Sequence, residues 1–140
     1  MMFKLRQSEM AEEALAKTKR IGLIGENAAA DFLKTSGFRI RHRNYTVGKS
    51  EIDLIAENSE TYILCEVKAR IQEYGVPSRY GRPASAVTKE KQRNLMQAAA
   101  AFAARHRNEG KRFRFDVIEV YLAKDETVTH VHHIPNAFTR

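Results

Sequence analysis

Four ionisable side chains lie close together in the segment 50–70, with types and spacing that suit metal-assisted hydrolysis. Three are carboxylates and one is an ammonium group: Glu51, Asp53, Glu66 and Lys68. Carboxylate oxygens are the ligands that Mg²⁺ and Mn²⁺ prefer, and a neighbouring lysine can hold an attacking water or neutralise charge on a phosphate. Asp53, Glu66 and Glu51 are therefore candidate metal ligands, and Lys68 is a candidate catalytic group.

Two strands of a β-hairpin must position these side chains. Runs rich in Ile, Leu, Val and Tyr flank the turn-forming sequence 57–60. With those residues as the loop, the predicted pairs are Ala56 with Thr61, Asp53 with Leu64, and Glu51 with Glu66. Side-chain alternation then places the four ionisable groups on one sheet face and the apolar groups on the other: Ile52, Leu54, Ile63, Cys65 and Val67. A register slip or a bulge would break this arrangement.

Charged groups on a sheet face that also carries Ile55, Tyr62 and Leu64 need an explanation, because desolvating charge costs free energy. A bound cation supplies one explanation. A cross-strand Glu–Lys salt bridge on a solvated face supplies another, and the short E-x-K spacing is common. Spacing alone leaves both interpretations open.

The composition fits a single basic globular protein. The chain has 140 residues and a formal charge of +7, enough length for one core and an excess of charge that attracts polyanions such as nucleic acid. A basic solvated surface would have the same composition. The only cysteine, Cys65, lies among apolar residues, and we expect a small buried hydrophobe in a reducing, cytoplasmic compartment. The first 20 residues contain no long apolar run, so we expect no membrane association.

Hydrophobic periodicity predicts a helix at residues 8–34, ended by Gly37. Gly22 and Gly25 weaken the interior of this helix. An interruption there would leave residues 1–20 as a helical or frayed extension, and residues 21–140 as a single domain.

The remaining elements follow from alternation and capping. Phe38, Ile40 and His42 alternate with arginines, which predicts an edge or surface strand with a basic face. Thr88 caps a helix that reaches about residue 107, and strands follow at 112–122 and 128–134. The resulting order is αβββαβ with a tail, an α/β fold.

Basic residues crowd the first turn of the second helix, where cations oppose the helix macrodipole. A bound phosphate would relieve this arrangement. Lys91 and Gln92 are therefore candidates for contact with nucleic acid, together with Lys89.

The segment 70–88 contains glycine, proline, arginine and tyrosine residues and predicts an irregular mobile loop. Arg82 could contact a phosphate, and Tyr74 or Tyr80 could stack on an unpaired base. Surface loops of this composition are at least as often unspecialised.

Ionisable residues near the C-terminus have structural interpretations. We expect Asp116 to form a salt bridge with Arg114 or another cation. We expect no zinc site at His130, His132 and His133, because no cysteine or carboxylate accompanies them at zinc-ligand spacing.

An ordered set of motifs over about residues 22–138 is similar to the YraN family, uncharacterised protein family 0102. The matching positions are Gly25, Glu26, Ala29, Leu33, Gly37, Asn44, 51–55, 66–68, Tyr80, Gly81, Val87, Lys91, Gln92, Leu95 and 114–117. Ser50 departs from the glycine usual in the family, and Ile52 departs from the proline in the superfamily signature described next.

Asp53 followed by Glu66, Val67 and Lys68 resembles the signature of the PD-(D/E)XK nuclease superfamily. This resemblance implies a restriction-endonuclease-like core, with a mixed central sheet flanked by helices. It also implies metal ligation by Asp53 and Glu66, a catalytic role for Lys68, and a role for Glu26 as an accessory acid. Glu26 could instead cap a helix that begins near residue 25.

Together these features predict Mg²⁺- or Mn²⁺-dependent hydrolysis of phosphodiester bonds in nucleic acid, with DNA favoured over RNA. Branched or flapped DNA is suggested only by analogy with resolvases that share this core. The alternative is a non-catalytic nucleic-acid-binding module. A homodimer is one option for the oligomeric state, because cutting two strands suits a symmetric dimer.

Overall fold

The computed structural model describes residues 2–76 and 88–137, with side chains from residue 6 onward. One mixed sheet contains five strands in chain order: β1 Arg39–Val47, β2 Ser50–Glu57, β3 Thr61–Ile71, β4 Arg112–Leu122 and β5 Val128–Ile134. Only β3 and β4 are parallel to each other, and the chain between them contains helix α2, Lys89–His106. Helix α1, Met2–Thr35, precedes the sheet. The predicted α/β fold and element order are confirmed.

Helix α1 is continuous through both interior glycines, so the interruption considered at Gly22 and Gly25 is absent. Gly25 lies against β3, where an added Cβ atom would be only 2.5 Å from Ala69 Cβ. Gly25 weakens the helix, but its missing side chain lets α1 pack closely against β3 at this point. Beyond Thr35, Gly37 has a φ of 94°, in the left-handed region that glycine tolerates at helix ends.

The sheet has a separate apolar core on each face. The α1 side contains buried residues from the helix and three strands: Ile21, Ala29, Ala30, Leu33, Leu54, Ala56, Ile63, Cys65, Ile118, Val120 and Leu122. The α2 side contains a second cluster: Ile52, Ile55, Tyr62, Leu64, Leu95, Ala98, Ala99 and Phe102. Thr88 caps α2 as predicted, because its hydroxyl accepts a hydrogen bond from Lys91 N–H at 3.1 Å.

The β2–β3 hairpin is two residues out of the predicted register. The observed pairs are Glu57–Tyr62, Ala56–Ile63, Ile55–Leu64 and Leu54–Cys65. A loop at 57–60 is wrong because Asn58 Oδ1 accepts hydrogen bonds from Glu60 N–H and Thr61 N–H, at 2.9 and 2.8 Å, and so closes a shorter turn. A shift of two residues preserves side-chain parity, and its continuation places Asp53 opposite Glu66.

Strict alternation breaks along β2 at Asp53. Ile52 packs in the same cluster as Ile55, although alternation would place the two on opposite faces. The flanking β1–β2 pairs place Asn44 opposite Asp53, and Asn44 has a φ of 51°. The prediction that Ile52 shares the face of Leu54 is therefore wrong, because both strands are distorted at this point.

The first strand and the cysteine lie where the sequence predicts. Strand β1 is an edge strand of the sheet. Cys65 is a free thiol in the core, and burial raises its pKa well above the usual value. Across residues 2–76 and 88–137, no helix has both the length and the apolar character needed to cross a membrane.

Candidate metal-binding and catalytic site

The candidate site forms where β2 and β3 separate. Their ladder stops at Leu54–Cys65, and beyond it Asp53 Oδ2 accepts a hydrogen bond from the Val67 backbone N–H at 2.8 Å. A cleft of about 600 Å³ opens here between α1, β2, β3 and the start of α2. Its lining includes charged side chains from all four elements: Glu26, Asp53, Glu66, Lys68, Arg70 and Lys91.

Glu66 is the most buried acid of the cleft, with 3% of its surface exposed. Its Oε1 atom lies 3.2 Å from Lys68 Nζ and 2.7 Å from Lys91 Nζ. Its Oε2 atom is buried without a hydrogen-bond partner among the described residues. A buried carboxylate oxygen normally has a partner, so this atom marks a place for a positively charged or hydrogen-bonding ligand.

Asp53 is strongly perturbed by the same environment. Burial and, after it, the negative charges of Glu66 and Glu26 together raise the pKa of Asp53 to about 7. The hydrogen bond from Val67 N–H acts in the opposite direction, since it stabilises the carboxylate. At neutral pH the site therefore holds a half-buried, partly protonated Asp53 beside the buried carboxyl group of Glu66.

Glu26 of α1 and Glu51 of β2 both contact the side chain of Asn44. With its nitrogen facing the two acids, the Asn44 amide donates to Glu26 Oε1 at 3.1 Å and to Glu51 Oε1 at 3.0 Å. Burial raises the pKa of Glu26, and this effect outweighs the hydrogen bond from Asn44, which lowers the pKa. Because α1 begins at Met2, Glu26 lies in the helix interior, and the alternative that it caps the helix is wrong.

The residues present fit a divalent cation held by few protein ligands. In the described part of the chain, no group of three or more His, Cys, Asp or Glu side chains is arranged to hold a metal ion. Mg²⁺, however, is usually bound through one or two carboxylates and keeps several waters. A cation between Asp53 and Glu66 would give Glu66 Oε2 a partner and replace the proton on Asp53. Ligation by Glu51 remains a prediction.

The start of α2 brings a second lysine to Glu66. Burial lowers the pKa of Lys91, but its contact with Glu66 outweighs that effect and raises the pKa overall. A second cleft, of about 450 Å³, adjoins the first at Asp53 and Lys91. Lys89 is exposed and Gln92 is half-buried in the same helical turns. Arg82 and Tyr80 lie outside the described residues.

Asn44 is a site residue to which the sequence alone assigned no role. Its amide joins two acids from different elements, and its left-handed φ accompanies the strand distortion at Asp53. Asparagine tolerates this conformation better than most residues. An asparagine within a run of strand residues is the signal that could have indicated this distortion.

The C-terminal ionisable residues form pairs across β4 and β5. Arg114 Nε lies 2.8 Å from Asp116 Oδ1, as predicted, and His133 Nε2 lies 2.6 Å from Asp116 Oδ2. His132 Nδ1 lies 2.8 Å from Glu119 Oε1. Carboxylates therefore accompany two of the histidines in space, although none does so at zinc-ligand spacing in the sequence.

These features define an α/β protein whose candidate site lies where two strands of a mixed sheet separate. The model of Uncharacterised protein family UPF0102 matches residues 25–120. This chain belongs to that family, in agreement with the resemblance of its motifs. The matched range contains every acid and lysine described in the site, from Glu26 to Lys91.

Relatives named UPF0102 protein are similar over most of their lengths. One from Caldicellulosiruptor saccharolyticus is 37% identical over 120 residues, covering 86% of this chain and 98% of the relative. One from Symbiobacterium thermophilum is 44% identical over 108 residues, covering 77% and 87%. One from Myxococcus xanthus is 37% identical over 129 residues, covering 92% and 97%.

Proposed function

We propose that this protein is a metal-dependent phosphodiesterase that cleaves nucleic acid, with an endonuclease-like core. In this proposal Asp53 and Glu66 bind the cation, and Lys68 is the catalytic lysine. The observation that carries the proposal is the unpartnered Glu66 Oε2 beside a second carboxylate whose pKa is about 7. The buried Glu66 carboxylate and the half-buried Asp53 carboxylate repel each other when both are charged, and a cation bound between them would remove that repulsion.

The side chains around Glu66 suit the stabilisation of a phosphate. A bound Mg²⁺ or Mn²⁺ would supply Lewis acidity and a water of lowered pKa. The Lys68 ammonium, 3.2 Å from Glu66 Oε1, can donate a hydrogen bond to an attacking water or to a phosphate oxygen. Lys91 reaches the same carboxylate from α2 and brings a second positive charge to the cleft. Glu26, held by Asn44, is the accessory acid of the proposal.

The proposed substrate is the backbone of nucleic acid, with DNA as the first candidate by fold-level analogy. A formal charge of +7 favours association with a polyanion. Lys89 and Gln92 lie in the helical turn that carries Lys91, and we propose them as further backbone contacts. A cytoplasmic location belongs to the same proposal, because the free thiol of Cys65 suits a reducing compartment.

Cleavage of labelled nucleic acids by the purified protein tests this proposal. Linear duplex, flapped and four-way DNA and single-stranded RNA are incubated with Mg²⁺, Mn²⁺ or chelator. Asp53→Asn and Lys68→Met remove the proposed ligand and the proposed catalytic lysine. Asp31→Asn and Lys34→Met make the same chemical changes at exposed positions of α1 and are the matched controls.

We expect metal-dependent cleavage by the wild-type protein and both controls. Each site variant should be slower by roughly 100-fold or more, as when a positioned charge or an electrostatic donor is removed. Cleavage that both site variants retain would indicate a contaminating nuclease and contradict the proposal. Absence of cleavage of every substrate under all metal conditions would contradict it as well.

One observation favours a second candidate function, a nucleic-acid-binding module without hydrolysis. Lys68 and Lys91 together give Glu66 Oε1 two positive partners from the chain itself. These lysines can balance the charge of Glu66 without a metal ion, as a protein that binds phosphate but does not hydrolyse it would need. Salt-sensitive binding that is unchanged by chelator and by Asp53→Asn, in the absence of cleavage, would support this candidate.

A further inference from the structure

The sheet face that carries Glu66 continues past the cleft into a cluster of rings. Helix α2 contacts β1 and β2 on this face. Farther along, β3, β4 and β5 place polar and aromatic side chains side by side. Their registers form two rows across the strands: Lys68–Glu119–His132 and Arg70–Tyr121–His130. The first residue of each row also lines the cleft.

Tyr74, which follows β3, packs against two residues of the second row, Tyr121 and His130. Its ring stacks on His130 with centroids 3.8 Å apart and planes 21° apart. Tyr121 meets the Tyr74 ring edge-on, with centroids 5.1 Å apart. Tyr74 is nevertheless 45% exposed, so the residue remains accessible to solvent. The result is an aromatic surface that is held in place by its neighbours and accessible from outside.

The charge around these rings suits a nucleic acid better than an apolar peptide. Lys68 and Arg70 connect the rings to the cleft, and successive residues on one strand face are about 7 Å apart. The one acid in the two rows, Glu119, is buried and contacts His132 at 2.8 Å. A strand whose phosphate lies at Lys68 and Arg70 could therefore turn a base toward Tyr74 without meeting an exposed carboxylate of either row.

We propose that Tyr74 and His130 form a stacking platform for an unpaired base of the nucleic acid that occupies the cleft. This inference rests on the proposed function and names its substrate class as nucleic acid with a single-stranded segment beside the cleaved bond. An aromatic ring stacks on any base, so the platform selects for unpaired structure and not for sequence. A duplex keeps its bases stacked on one another and gains nothing from the platform.

Binding measured in chelator tests the platform without interference from cleavage. The probes are a short fluorescein-labelled single strand and a blunt duplex of the same sequence. Fluorescence anisotropy measures their binding. Tyr74→Ala removes the ring, and Tyr74→Phe is the matched control that keeps it. Thermal unfolding of all three proteins checks that the segment after β3 remains folded.

We expect Tyr74→Ala to weaken single-strand binding by roughly fivefold or more while duplex affinity changes little, because base–aromatic stacking is the interaction lost. Tyr74→Phe should bind both probes like the wild-type protein. A strand containing 2-aminopurine should lose fluorescence on binding to wild type and Tyr74→Phe, and lose less with Tyr74→Ala.

Equal weakening of single strand and duplex would overturn the platform, because it would indicate a general structural or electrostatic effect. Unchanged affinity in Tyr74→Ala would overturn it too, as would failure of the wild-type protein to bind the single strand. Failure of hydrolysis is separable from these results. Selective, Tyr74-dependent binding by a protein that cleaves nothing would support the platform and contradict only the proposed phosphodiesterase.

Discussion

Asp53 is the residue whose protonation reports most directly on the site. Its pKa is raised to about 7 from an ordinary value of 3.8, mainly by burial and by Glu66. Between those values the folded protein binds more protons than the unfolded chain. Stability from this residue is thus fully present below about pH 4 and is lost as the pH rises through about 7. A bound cation would instead favour the ionised form of Asp53 in the folded protein, because it stabilises the carboxylate.

Replacing Asp53 by Asn should remove this pH dependence. The amide oxygen can still accept the Val67 N–H hydrogen bond, but the side chain no longer ionises. In chelator, we expect Asp53→Asn to be more stable than wild type at pH 8 by a few kcal/mol, since each unit of pKa shift is worth about 1.4 kcal/mol. The difference should shrink toward pH 4. Urea unfolding at several pH values between about 4 and 8 measures this stability difference. A difference independent of pH would contradict the raised pKa of Asp53.

The position of Glu57 in a buried strand was not predicted from the sequence, which placed residue 57 in the hairpin loop. Its sequence neighbours are turn formers, yet it is buried in β2 and lies 2.6 Å from Lys111 Nζ, with Arg39 and Arg41 also in contact. Burial raises the pKa of Glu57, but hydrogen bonds from Lys111, Arg39 and Tyr62 outweigh that effect and lower the pKa to about 2. Lys111 is distant in the sequence, so local propensity could not show that a partner compensates the buried charge.

At the scale of elements, the distance between α1 and β3 determines where Glu26 lies. Gly25 allows close approach to Ala69, and the next residue in the helix is the acid that reaches Asn44. Helical periodicity correctly predicted a helix before the first strand. It treated both glycines only as helix breakers, because the benefit of Gly25 depends on a contact with a strand far along the chain.

The two glycines of α1 should respond oppositely to alanine. Gly25→Ala places a Cβ atom 2.5 Å from Ala69 Cβ, and we expect net destabilisation of about 1–2 kcal/mol from overpacking. Gly22→Ala meets no atom within 4 Å, and a gain of about 0.5–1 kcal/mol is expected from helix propensity. Urea denaturation compares them. Similar effects at both positions would contradict the close packing of α1 on β3.

The hairpin illustrates what alternation can and cannot predict. Parity correctly placed Asp53 and Glu66 together, since the two-residue error in register preserves the face. It failed at Ile52, where the distortion opposite Asn44 interrupts alternation. The separation of β2 from β3 beyond Leu54 was also not predictable, because it depends on the Asp53 side chain replacing a backbone partner.

At the scale of the whole molecule, the net charge of +7 predicts strong salt dependence of nucleic-acid binding. Contacts of lysine and arginine with phosphate release counterions, so affinity should fall by roughly 10- to 100-fold between about 50 and about 200 mM salt. Anisotropy titrations in chelator at several salt concentrations measure the slope. The exposed-lysine variant Lys34→Met should leave the slope nearly unchanged, whereas Lys91→Met should reduce it. Equal slopes for both variants would argue against Lys91 as a phosphate contact.

The order of helices and strands was accessible from sequence because each element carries its own periodicity. The site was accessible only in part, since the lysine of α2 meets Glu66 through the tertiary fold. Lys91 was predicted as a substrate contact from its place at a helix N-terminus. Its ion pair with a buried acid depends on how α2 crosses the sheet, and no local pattern specifies that crossing.

In the proposed function Asp53 and Glu66 together hold a divalent cation, and calorimetric titration of Mn²⁺ into metal-free protein measures that binding. We expect one site in the wild-type protein and in the control Asp31→Asn. Affinity should fall by roughly 100-fold in both Asp53→Asn and Glu66→Gln, because each removes a charged ligand from a site with few others. Absence of binding by the wild-type protein, or equal binding by all four proteins, would contradict a cation site at Asp53 and Glu66.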